Sequence, residues 1–155
     1  MKKINFKSKF QKFDEHWSPK VIAEMNDYQF KLVKIERDFI WHQHDETDEV
    51  FIVIEGKIFI EFKDEIVEIS EGEMIVVPKG VKHKPYAEEE AKIMLIEPTG
   101  TVNTGDIEDK LTAPNDNGFK KRFFQTKLLF SFHTLFSNFK LWWISWILQS
   151  TIIRY

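Results

Sequence analysis

The chain has 155 residues, 43% of them apolar, enough for one hydrophobic core and short for two comfortable domains. Its 22 basic and 25 acidic side chains leave a net charge of -3, so nothing draws it to a polyanion and nucleic-acid binding is not expected. With no cysteine, disulfide frameworks, thiol nucleophiles, zinc fingers and iron-sulfur clusters are excluded, and any metal must be held by His, Asp or Glu.

The first ten residues are basic, but Lys, Asn and Ser interrupt their apolar positions, so they do not read as a signal peptide and a cytoplasmic protein is expected. Phe6, Phe10 and Phe13 form one stripe of a short helix over Asn5 to Phe13. Extended runs at Lys20 to Met25 and Tyr28 to Ile35 flank Asn26-Asp27, a pair that tolerates the positive φ of a tight hairpin. Short strands and turns then alternate. Val50 to Ile54, Lys57 to Phe62, Glu65 to Ile69, Met74 to Val77, Val81 to Ala87 and Lys92 to Glu97 bring the expected total to about eight strands. Glu88-Glu89-Glu90 reads as a solvated hairpin loop between the last two. No segment is long enough for a crossover helix, so an all-β antiparallel sandwich or barrel is expected.

His42 and His44 lie two apart in an extended stretch, which directs both rings to one side. Glu49 follows, and His83 lies beyond a Pro78-Lys79-Gly80 turn, where it could face the first pair across a barrel. Three imidazoles and a carboxylate suit a divalent cation (Fe, Mn, Ni, Cu or Zn) and leave coordination positions open. Asp45, Glu46 and Asp48 crowd the same loop as imidazole acceptors, as a general base, or as plain solvated carboxylates, and Asp48 could replace Glu49. Phe51, Val53, Ile58, Ile60, Met74, Val76 and Met94 could line a cavity, but alternating apolar residues in strands more often form plain core. Strand alternation should aim Trp41 and Tyr86 away from the metal, as packing or dimer-contact residues. Asn103 to Asp106 could reach a cavity rim, though a turn ending the last strand assumes less.

His42-x-His44-x4-Glu49-x6-Gly56 resembles the first signature motif of the cupin superfamily, and Gly72-x5-Pro78-x-Gly80-x2-His83 the second. The likeness extends to small single-domain cupins similar to the mannose-6-phosphate isomerase barrel. It implies a double-stranded β-helix, the jelly-roll or cupin barrel, commonly a homodimer, with His42, His44, Glu49 and His83 as metal ligands. Glu36 and Ala87 stand where the motifs usually have Gly and Asn, which touches subfamily assignment and not the ligand set. A small polar molecule would meet the metal, in sugar-phosphate-isomerase-like or dioxygenase-like chemistry; a noncatalytic small-molecule binding or sensing cupin is the alternative.

Residues 1–116 hold all 25 acids and 16 basic residues, while 117–155 hold six basic residues and no acid. The division predicts a barrel domain over 1–116, with its motifs at 42–83, and a basic, aromatic, helical tail over 117–155. From 119 to 155 the tail reads as a membrane anchor, as a segment packed on the barrel or in a dimer, or as an out-of-frame stretch.

Overall fold

The computed structural model describes residues 3–114. The expectations for the tail (helix, anchor or out-of-frame stretch) lie outside those residues. No helix among the described residues is long and apolar enough to cross a membrane.

Helix α1 (Phe6–Phe10) is followed by seven strands: β1 (Lys20–Met25), β2 (Tyr28–Asp38), β3 (Glu49–Glu55), β4 (Lys57–Glu61), β5 (Ile66–Ser70), β6 (Met74–Val77) and β7 (Lys84–Pro98). Asn5 caps α1 by accepting the Ser8 backbone N–H on its side-chain oxygen at 2.9 Å. The β1–β2 hairpin closes through the expected pair, Met25 facing Tyr28 and Asn26 taking φ 53°. All pairings between these strands are antiparallel, in the order β1-β2-β7-β3-β6, with β4 joining β7 and β5. The all-β expectation holds.

Seven strands stand where eight were expected, because Val81 to Ala87 and Lys92 to Glu97 belong largely to one strand. β7 is long because two layers share it: its first residues pair with β4, its later ones with β3, and β2 runs along its other edge. The Glu88-Glu89-Glu90 triplet is therefore not a hairpin loop. It lies exposed within β7 at a register shift opposite Glu36, so the strand bulges where a reversal was expected.

Alternation along the strands builds two apolar layers. Val33, Ile35, Phe51, Val53, Ile58, Ile60, Ile93 and Leu95 point inward as the main core. On the outer face of β2 and β7, Leu32 and Met94 are covered by Phe10 and Phe13. Each such side chain contributes about 1.5–3 kcal/mol of burial. Of the seven candidate cavity residues, Phe51, Val53, Ile58 and Ile60 are this core, and Met94 belongs to the outer cluster. Met74 and Val76 lie on the opposite parity of edge strand β6 and are exposed. Trp41 and Tyr86 meet the Lys84 ammonium, and Tyr86 stacks on Phe59 at 5.0 Å.

After β7, residues 99–114 fold back as a strap. The Asn103 side chain donates to the Trp17 and Leu111 carbonyls at 3.3 and 2.9 Å and accepts the Ala113 N–H at 2.8 Å. Thr104 is fully buried and its hydroxyl bonds that of Thr112.

Candidate metal centre

The backbone brings the distant histidine to the first pair. His42 and His83 exchange both backbone hydrogen bonds, at 3.0 and 2.9 Å, as an isolated antiparallel bridge. The Gly80 N–H donates to the His44 carbonyl at 2.8 Å, fixing the second turn against the first motif. Glu49, the first residue of β3, enters from the adjoining strand.

His42, His44, Glu49 and His83 are all buried, and one candidate ligand atom from each lies within 4.8 Å of the others. Glu49 Oε2 is 3.2 Å from His44 Nε2 and 3.3 Å from His83 Nε2. None of these three atoms has a well-formed hydrogen bond. The other ring nitrogens are better served: His42 Nδ1 donates to the Ile40 carbonyl at 3.0 Å, and His83 Nδ1 to the Val81 carbonyl at 2.9 Å. A carbonyl can only accept, so both protons sit on Nδ1, and each neutral ring keeps its lone pair on Nε2. Buried lone pairs and a carboxylate facing one another without donors destabilise a protein unless a cation or donor joins them. The donor set therefore fits a borderline divalent ion. The acceptors orienting these two rings are backbone carbonyls; Asp48 instead accepts the Lys79 N–H at 2.9 Å, and Asp45 the Gln43 amide at 2.6 Å.

Aromatic side chains hold the rings in place. Phe39 meets His42 edge-on at 5.2 Å, Trp17 stacks on Phe39 at 4.6 Å, and Phe51 meets His83 edge-on at 6.0 Å. Burial first, then the neighbouring His83, lowers the His42 pKa to about 4, so that ring is neutral at ordinary pH. Burial alone would lower His44, but the Glu49 carboxylate 3.2 Å away more than offsets it, and the net shift is upward. Burial alone would raise Glu49, and His44 and His83 overcome it, so its carboxyl stays well below the usual range.

Sequence reasoning passed over two buried charges. Lys31 Nζ and Glu97 Oε1 are 2.7 Å apart in a nearly solvent-free pair on the inner wall. Burial, with the Glu49 charge added, still leaves the Glu97 pKa raised despite this lysine. Period-two counting could have found both, because Lys31 shares parity with the inward Val33 and Ile35, and Glu97 with Ile93 and Leu95. Trp17 was also not singled out as a cavity residue, while Asn103 belongs to the stretch expected at a cavity rim. Together with His42 and Glu49 they bound an inner cavity of about 20 Å³, room for one water. The larger space lies outside it: an open, solvent-facing chamber of about 510 Å³ between residues 44–47 and 98–106.

A double-layered β-roll that gathers three buried histidines and one buried glutamate defines a class with known relatives. The cupin domain family matches residues 30–97. The chain resembles a cupin-2 domain containing protein from Shewanella frigidimarina, 64% identical, over 61% of this chain and 93% of that one, with a TM-score of 0.61. It also resembles protein NMB1881 from Neisseria meningitidis, 39% identical over 63% and 99% of the two chains, with a TM-score of 0.58. Bacillus subtilis YdbB is 38% identical over 64 residues, 41% of this chain and 57% of that protein, so the chain spans little more than half of this curated relative. The chain belongs to the cupin superfamily.

Proposed function

We propose that this protein is a metallo-cupin that holds one divalent cation with His42, His44, Glu49 and His83 and turns the remaining coordination positions toward a small polar molecule in the outer chamber. The observation that supports this most is the convergence of four buried donor residues, three of which present a buried polar atom without a hydrogen-bond partner. When bound, the ion would supply Lewis acidity to a ligand oxygen. The chain's own part is orientation: the Ile40 and Val81 carbonyls fix two tautomers, the Phe39 and Phe51 edges fix two ring planes, and the apolar inner wall excludes bulk water.

Elemental analysis of the purified protein beside His83→Ala tests the site: about one ion per chain in the parent and little in the variant is expected, and equal content in both overturns it. Oxygen uptake and sugar isomerisation assays on the loaded protein then separate dioxygenase-like from isomerase-like chemistry. Silence in both together with tight ligand capture favours a binding module. Exposed Met74 and Val76 on edge strand β6, beside the half-buried Val50 and Ile52 of β3, favour a homodimer through this outer face, read by light scattering.

A further inference from the structure

The inner cavity has one wall unlike the others. Strands β2, β3 and β7 supply most of its lining, and His42 and Glu49 reach it from the histidine cluster, whereas His44 lines the outer chamber instead. Trp17 and Asn103 complete it from segments outside the strands, the first from the loop between α1 and β1 and the second from the strap. Among the residues lining the cavity Trp17 alone is half-buried, and the others are buried. Its indole therefore stands between the cavity and solvent.

Trp17 is held there against its own backbone preference. It has φ 55°, in the left-handed region, which a bulky side chain occupies only where the surroundings enforce it; such residues cluster at clamps and switches. The enforcing contacts are few. The Trp17 N–H donates to the Lys34 carbonyl at 2.9 Å, the indole N–H donates to the Glu36 carbonyl at 3.1 Å, and the ring stacks on Phe39 at 4.6 Å. The strap adds one hydrogen bond, from the Asn103 amide to the Trp17 carbonyl at 3.3 Å, long for its kind. None of these contacts belongs to a ladder between two strands, so Trp17 can leave with every strand pairing intact and with its left-handed backbone relaxed. As it stands the cavity of about 20 Å³ holds one water, and the departing indole would vacate the space of a two-ring molecule.

We propose that Trp17 is a gate, latched by Asn103 of the strap, whose outward release opens an apolar space of ligand size against His42 and Glu49. The gate itself requires no metal. Only the consequence, a second approach to a bound ion from the inner side, rests on the metallo-cupin reading.

The chain has no cysteine, so a single introduced thiol reports alone on access to the cavity. Val33→Cys places the thiol in the cavity wall, and Val53→Cys makes the same change in the core away from it; both positions are buried. Modification of the folded, full-length variants by neutral 4,4′-dithiodipyridine is followed in chelator, with the stability of each measured by urea unfolding. Local opening should let Val33→Cys react at least about tenfold faster than Val53→Cys after correction for stability. Adding Trp17→Ala or Asn103→Ala should speed Val33→Cys by at least about fivefold more than Val53→Cys, which reports any general loosening. Equal corrected rates for the two thiols, or second substitutions that speed both thiols alike, overturn the gate. Because the series is run in chelator, failure of the metal assay leaves the gate standing, and failure of the gate leaves the metal site standing.

Discussion

Replacing Gly105 by alanine probes how the strap controls the candidate metal centre. Gly105 has φ +59°, and a Cβ built there would overlap the Gln43 carbonyl oxygen and lie 3.0 Å from its carbonyl carbon. Gln43 stands between His42 and His44, so relief of the clash on the Gln43 side moves the peptide that carries both rings. Gly72 supplies the control, since its φ is +85° and an added Cβ meets nothing within 4 Å. Gly72→Ala should cost only the left-handed conformation, about 1–2 kcal/mol. Gly105→Ala adds overpacking against rigid backbone, about 1–3 kcal/mol more, for a total of about 2–5 kcal/mol. Because metal-ligand distances tolerate only about 0.2 Å, the Gly105 variant should also lose metal affinity by at least tenfold while the Gly72 variant keeps it. Urea unfolding in chelator and competitive metal titration read the two effects. Equal destabilisation of the variants, with metal affinity unchanged in both, would refute the argument that the strap is wedged against the segment that carries His42 and His44.

Two further outcomes are expected. In chelator, stability should fall on acidification below about pH 6.5: the unfolded His42 takes up a proton there while the folded ring, with its pKa near 4, does not, a loss of roughly 3 kcal/mol by pH 4. The depressed Glu49 adds stability that is present above its unfolded pKa and lost as pH falls through its folded one, and the raised His44 adds stability lost as pH rises through its folded pKa. The urea midpoint should therefore peak near neutrality, and a flat profile from pH 4 to 8 contradicts this. Separately, Lys31→Met should destabilise by about 3–5 kcal/mol by stranding Glu97, and adding Glu97→Gln should recover most of it; additive losses would show that the two side chains do not act as a pair.

The all-β class was legible in the residues alone, because turn pairs recur between short apolar runs and no run is long enough for a crossover helix. So was the grouping of the four candidate donors, through parity for His42 and His44 and through spacing and motif resemblance for Glu49 and His83. Local rules could not see that β7 is one strand: Glu88-Glu89-Glu90 carries loop chemistry, and only pairing with β2 on one edge and with β4 and β3 on the other keeps the backbone extended through it. Nor could they see which apolar strand face would be covered, which leaves Met74 exposed while Met94 is buried under α1. Folding in three dimensions was needed to bring Lys31 to Glu97 and to seat Gly105 against Gln43, because both contacts join residues more than sixty positions apart and no local periodicity spans that distance.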